Sequence, residues 1–139
     1  MKPTLSIAVG LIWYQGELAV GKRQPGQVYA GMDEFPGGKC EPNEDPRAAV
    51  VREILEETGL HVDVMGLRLK VDWETESRRM ELWFFDVVPT GMTSSMVRLD
   101  EPFEWWSVER TLEGNFPPAN RSVLESIRQR PMPIVEPGS

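Results

Sequence analysis

The chain has 139 residues, 40% of them hydrophobic, and 22 acidic against 15 basic side chains give it a formal net charge of −7. That length and apolar content suit one domain with its own core, and no second domain is needed. The acidic balance argues against a sequence-independent grip on nucleic-acid polymers, which relies on many Lys and Arg contacts to phosphate.

In chain order, Leu5 to Tyr14 and Glu17 to Lys22 read as two strands around a turn at Gln15-Gly16, partly alternating and β-branched. A Gln-Pro-Gly loop follows at 24 to 26, then a strand or loop at 28 to 35. Asp45 is a good N-cap, Pro46 suits the first helical position and Gly59 the exit, which predicts a helix over 46–58. Val62 to Trp73 and Arg79 to Val88 read as a long hairpin turning near Thr75-Glu76-Ser77. The polar, Met-rich stretch Thr90 to Val97 has no clear period and reads as a loop, and Phe103 to Val108 as a short strand. Pro117 to Arg128 reads as a second helix with Val123, Leu124 and Ile127 as its packing stripe. Pro131 to Ser139 reads as a flexible, frayed tail, leaving residues 1–130 as the domain. Mixed strands with two helices imply an α+β or α/β sandwich. The five tryptophans, at 13, 73, 83, 105 and 106, read as core or rim residues, with Trp73 the one candidate for a stacking platform.

The first helix carries the chemistry. At roughly 100° per residue, Glu53, Glu56 and Glu57 fall within an arc of about 100°, with Ala48, Val51, Leu55 and Thr58 on the opposite side. Carboxylates at a helix C-terminus oppose the helix dipole, and like charges three or four apart repel. Magnesium or manganese would offset that cost, since both favour carboxylate and carbonyl oxygens and leave positions for water and phosphate. Arg52 can neutralise part of the cluster.

Cys40 is the only cysteine and His61 the only histidine, which excludes a disulfide scaffold, a multi-cysteine zinc site and His-His metal chemistry. Cys40 reads as incidental and His61 as structural, so general-base work falls to carboxylates. The longest apolar stretches, about six residues, are too short to span a bilayer, and the N-terminus lacks the order of a signal peptide. A monomer in the cytoplasm is the default expectation.

The spacing Gly38, five residues, Glu44, seven residues, Arg52-Glu53, then Glu56-Glu57, Gly59 and Leu60 matches the Nudix box at every defined position. Ser6-Ile-Ala-Val-Gly-Leu-Ile12, Gly21-Lys-Arg23, Glu34-Phe-Pro-Gly-Gly38, Leu82-Trp-Phe84 and Phe116-Pro-Pro-Ala-Asn120 extend the resemblance. The chain resembles the MutT-type branch of the Nudix hydrolases, whose members cleave oxidised purine nucleoside triphosphates. The resemblance implies the Nudix fold, a mixed sheet between helices, and hydrolysis of a phosphoric anhydride bond.

It further implies that Glu53, Glu56 and Glu57 hold Mg²⁺, or Mn²⁺, with a backbone carbonyl at Gly37, that Glu53 acts as base, and that Glu44 and Arg52 support them. Such enzymes take another ligand from an acidic residue shortly before a Trp. The position six before Trp105 is Leu99, so Asp100 or Glu101 must fill that role, and Glu101 is the residue chosen here. By the same resemblance Arg23 and Arg78 touch nucleotide phosphate or base, and Phe35 lines the base pocket. Asn120 presents both an acceptor and a donor, matching the O6 and N7–H edge of 8-oxoguanine. The expected substrate is 8-oxo-dGTP. The alternatives are a CTP or dCTP pyrophosphatase, and a non-catalytic module that senses a nucleotide.

Overall fold

The computed structural model describes residues 2–91 and 97–137. Its centre is β1 (Thr4–Tyr14), which turns at Gln15-Gly16 into β2 (Glu17–Lys22). Short β3 (Asp33–Glu34) pairs with β2, and β4 (Gly37–Lys39) returns antiparallel to β1, with Val9 opposite Gly37 and Ala8 opposite Gly38. Helix α1 (Pro46–Thr58) leads to the hairpin of β5 (Val62–Glu74) and β6 (Arg79–Pro89), and β6 lies parallel to β1. Strand β7 (Glu104–Ser107) pairs with β2, followed by α2 (Val108–Leu112), a 3-10 turn over Pro118–Asn120 and α3 (Arg121–Gln129). The result is a mixed seven-stranded sheet in an α+β domain.

Alternation along β1 explains the layers, because successive side chains of a strand point to opposite faces. Ala8 and Ile12 join Phe85 and Val87 against Ala49, Val50 and Ile54 of α1. Val9, Leu11 and Trp13 join Leu82 and Phe84 against Val123 and Ile127 of α3. The sheet therefore lies between helices, as the family resemblance implied.

Most element boundaries agree with the sequence reading to within a residue or two, and the differences have local causes. Only Asp33–Glu34 of the 28–35 segment is strand. Residues before it form turns in which Tyr29, Gly26 and Gly31 adopt positive φ, incompatible with a ladder. The Phe103–Val108 strand ends at Ser107, whose hydroxyl accepts from Arg110 N and starts α2, an unforeseen helix. The helix expected from Pro117 opens as a 3-10 turn instead. Part of the loop expected over Thr90 to Val97 lies outside the described residues.

The face of α1 that packs is also different: Ala49, Val50, Ile54 and Thr58 are buried, while Ala48 is exposed and Leu55 is 39% exposed. The helix is turned so that Glu53 and Glu57 border the packed face and meet β4.

The tail is the largest correction. Ile134 N donates to Asp86 Oδ2 at 2.9 Å, Glu136 N to Met65 O at 3.0 Å, and Leu67 N to Glu136 Oε1 at 2.8 Å. Arg47 closes the edge with two bonds to the Glu136 carboxylate. The organising group is a fully buried ion pair between Arg68 of β5 and Asp86 of β6. Trp13 Nε1 donates to the same Asp86, and Arg68 donates to Ser126 O, Arg130 O and Met132 O, so every arm of the pair finds a partner. Residues 131–137 are thus part of the folded unit. Among the described residues no helix is long and apolar enough to cross a membrane.

Candidate active site

Strand β4 and helix α1 meet through the two glycines and the glutamates. A Cβ added at Gly38 would fall 2.4 Å from the carboxyl carbon of Glu53, so only glycine lets that carboxylate lie against the strand. Gly37 N donates to Glu57 Oε1 at 2.7 Å. Asp45 caps α1 by accepting from Arg47 N, and Gly59, at φ 78°, ends it just past the glutamates.

Arg52 lies among the acids. Its guanidinium donates to both oxygens of Glu44 at 2.8 and 2.9 Å, to Glu53 Oε1 at 2.9 Å, to Glu56 at 3.3 Å and to Lys39 O at 3.2 Å. This pairing holds the Glu44 carboxyl down at about 2. Glu57 goes the other way: burial, together with Glu34, Glu53 and Glu56, pushes it up to about 7 despite the bond from Gly37. The anionic cluster is therefore only partly neutralised by the protein itself.

These residues suit a hard divalent cation. They offer carboxylate oxygens on one helix beside main-chain carbonyls, and Glu57 bears a charge its surroundings disfavour. Among the described residues no three acidic side chains converge as a ready-made ligand set; Arg52 engages Glu53 and Glu56, and Gly37 N engages Glu57. Asp100 N donates to Thr58 O at 3.0 Å, which brings the Asp100-Glu101 loop to the C-terminal end of α1. The Asp100 carboxylate lies beside Gly59, and Glu101 is exposed.

A second group of residues lies on the α3 side of the sheet. Phe35 is 5% exposed and stacks on Phe116, with centroids 4.7 Å apart and planes 18° from parallel. Ala119 packs against the same cluster. Asn120 follows it, half-buried, at the N-cap position of α3 but without a side-chain capping bond; its Nδ2 donates to Pro117 O at 3.3 Å. Arg23 bonds Glu34 Oε1 at 3.1 Å and the Val28 carbonyl. Arg78 stands exposed on the β5–β6 turn, where its N–H donates to Thr75 Oγ1 at 3.1 Å, and Trp73 is 36% exposed on β5.

Two acids escaped the sequence reading. Glu34, ion-paired to Arg23, has its carboxyl raised by burial. Asp33 is 4% exposed and joins β3 to Asn115. The only available signal was an acidic pair immediately before Phe35-Pro36-Gly37, and its burial was not legible from spacing.

The NUDIX domain model matches residues 4–127. The chain is 35% identical over 126 residues to the 8-oxo-dGTP diphosphatase of Escherichia coli (strain K12), covering 90% of this chain and 97% of that protein. It is 29% identical over 122 residues to the CTP pyrophosphohydrolase of the same organism, covering 88% and 90%. The crystal structure of a MutT protein from Methanosarcina mazei Go1 superposes with a TM-score of 0.75 at 27% identity, covering 92% of this chain and 95% of that one. The chain thus belongs to the NUDIX domain family, and it is a Nudix hydrolase with MutT proteins among its relatives.

Proposed function

We propose that the chain is a magnesium-dependent pyrophosphohydrolase that converts 8-oxo-dGTP to 8-oxo-dGMP and pyrophosphate, removing oxidised precursors before they enter DNA. The observation that carries this reading is one arrangement: helix α1 sets its glutamates against Gly37 and Gly38, and the strand just before them brings Phe35 onto Phe116 at the start of the Asn120 turn. The similarity to an 8-oxo-dGTP diphosphatase supports it. A monomer acting on the free nucleotide pool of the cytoplasm belongs to the same reading.

Mg²⁺, or Mn²⁺, held by Glu53, Glu56, Glu57 and the Gly37 carbonyl, with Asp100 or Glu101 beside them, would supply Lewis acidity towards water and phosphoryl oxygen. Glu53 takes the proton of the attacking water, whose oxygen bonds to phosphorus as the α–β anhydride bond breaks and releases 8-oxo-dGMP and pyrophosphate. Arg52, fixed by Glu44, keeps the Glu53 carboxylate oriented. Arg23 and Arg78 contact the nucleotide, and Phe35 lines the base pocket. Asn120 accepts from N7–H and donates to O6 of the oxidised base, a pairing that guanine's N7 acceptor lacks. An unmatched buried polar group costs on the order of 1–3 kcal/mol, enough to favour the oxidised nucleotide.

The similarity to a CTP pyrophosphohydrolase favours a cytosine nucleotide as the second reading. Pyrophosphate release from 8-oxo-dGTP, dGTP, CTP and 5-substituted dCTP separates the two. A preference for 8-oxo-dGTP that falls about tenfold or more in Asn120→Ala supports the amide-reading pocket. A cytosine peak indifferent to Asn120 contradicts it.

A further inference from the structure

Asp33 is a buried charged side chain two residues before Phe35, and its bonds run to the segment that leads into Phe116. It is 4% exposed on β3, where Lys22 of the neighbouring β2 pairs with its Oδ1. Its other oxygen accepts from Asn115 N at 2.7 Å, and its own N–H donates to Asn115 O at 3.0 Å. This is a two-bond clamp between segments 82 residues apart. On one side the chain continues from Asp33 through Glu34 to Phe35. On the other it continues from Asn115 to Phe116 and the turn that carries Asn120, and the two phenylalanines stack face to face. The approach is tight throughout: a Cβ at Gly114 would meet Phe116 at 2.6 Å and Asp33 Oδ2 at 3.1 Å.

We propose that Asp33 is a positioning residue for base selection, whose carboxylate, by accepting from Asn115 N beside the main-chain bond between the same residues, fixes the distance between Phe35 and the Phe116–Asn120 segment. This rests on the base-pocket reading given above. A carboxylate buried with partners on both faces is rigid, since leaving either bond unmade exposes an unpaired polar group to an apolar surround. A loop held to β3 by the single main-chain bond would leave the Asn120 turn freer to shift, and discrimination between bases differing at one hydrogen-bonding edge depends on such placement. Lys22 neutralises the carboxylate but does not touch Asn115, so its contribution is separable.

The test compares kcat and KM for 8-oxo-dGTP, dGTP and CTP in wild type, Asp33→Ala, Asp33→Asn and Lys22→Ala, with thermal midpoints alongside. Selectivity is the ratio of kcat/KM between the best and worst nucleotide, so it is defined whichever base wild type prefers. Asp33→Ala is expected to reduce that ratio about tenfold or more, mainly through a raised KM for the preferred nucleotide, with its kcat within about threefold of wild type. Asp33→Asn, whose amide oxygen still accepts from Asn115 N, and Lys22→Ala keep the ratio within about threefold. Asp33→Ser, whose hydroxyl is too short to accept from Asn115 N, carries the same expectation as alanine if the latter does not fold. A ratio unchanged in Asp33→Ala and Asp33→Ser, or lost equally in Lys22→Ala, overturns the clamp. A wild-type peak at CTP overturns the proposed substrate but leaves the clamp to be judged by the same ratio, and a flat wild-type profile overturns both.

Discussion

Gly38 illustrates how closely this site is built, because its missing side chain is what gives Glu53 its position. In Gly38→Ala the new methyl meets the mobile end of Glu53 rather than backbone, so the fold is expected to survive while the carboxylate moves. Turnover should then fall on the order of 100-fold, as for a reacting group displaced by about an ångström; a thermal midpoint near wild type with lost activity is the expected pair of readings. Glu57 gives a pH signature. Its folded-state pKa stands at about 7, above the ordinary 4.5, so the protonated form is favoured in the folded, metal-free protein. Stability from this group is full below about 4.5 and is lost as pH rises through about 7, because there the unfolded chain binds fewer protons than the native one. Metal-free protein should therefore lose stability across that window, saturating magnesium should reverse the loss, and Glu57→Gln should flatten the slope. A metal-free stability curve with no such slope argues against the burial of Glu57.

At the scale of elements, the Arg68–Asp86 pair joins β1, β5, β6, α3 and the C-terminal segment. Removing one partner leaves the other charged and buried, so Asp86→Ala should cost about 3–5 kcal/mol, measured by denaturant unfolding. This junction was not legible in the sequence. Arg68 and Asp86 look like the polar positions of alternating strands, and burial arises only when the tail closes over them. For the same reason residues 131–137 read as a free end. Helix α1 was legible from Asp45, Pro46 and Gly59, because caps are local chemistry. Its packed face was misplaced by a fraction of a turn, since the choice among Val50, Val51, Ile54 and Leu55 is made by contact with β1. The 3-10 turn and α2 were lost for want of length: neither spans enough residues to show a period.

For the whole molecule, the candidate glutamates could be picked out because box spacing places them on one helix, whereas the contacts proposed for Arg23, Arg78 and Asn120 depend on strands and loops far apart in sequence. The structure brings Phe35 to Phe116 and leaves Arg78 on an exposed turn. The net charge of −7 makes the account depend on a cation that neutralises both the glutamates and the triphosphate. The most direct test is product analysis of 8-oxo-dGTP hydrolysis against magnesium concentration, in wild type and Glu53→Gln. The account predicts 8-oxo-dGMP and pyrophosphate in equal amounts, no turnover without a divalent cation, and a kcat lower by about 10²–10⁴-fold in a folded Glu53→Gln. Release of orthophosphate, turnover without a divalent cation, or a fully active Glu53→Gln would contradict it.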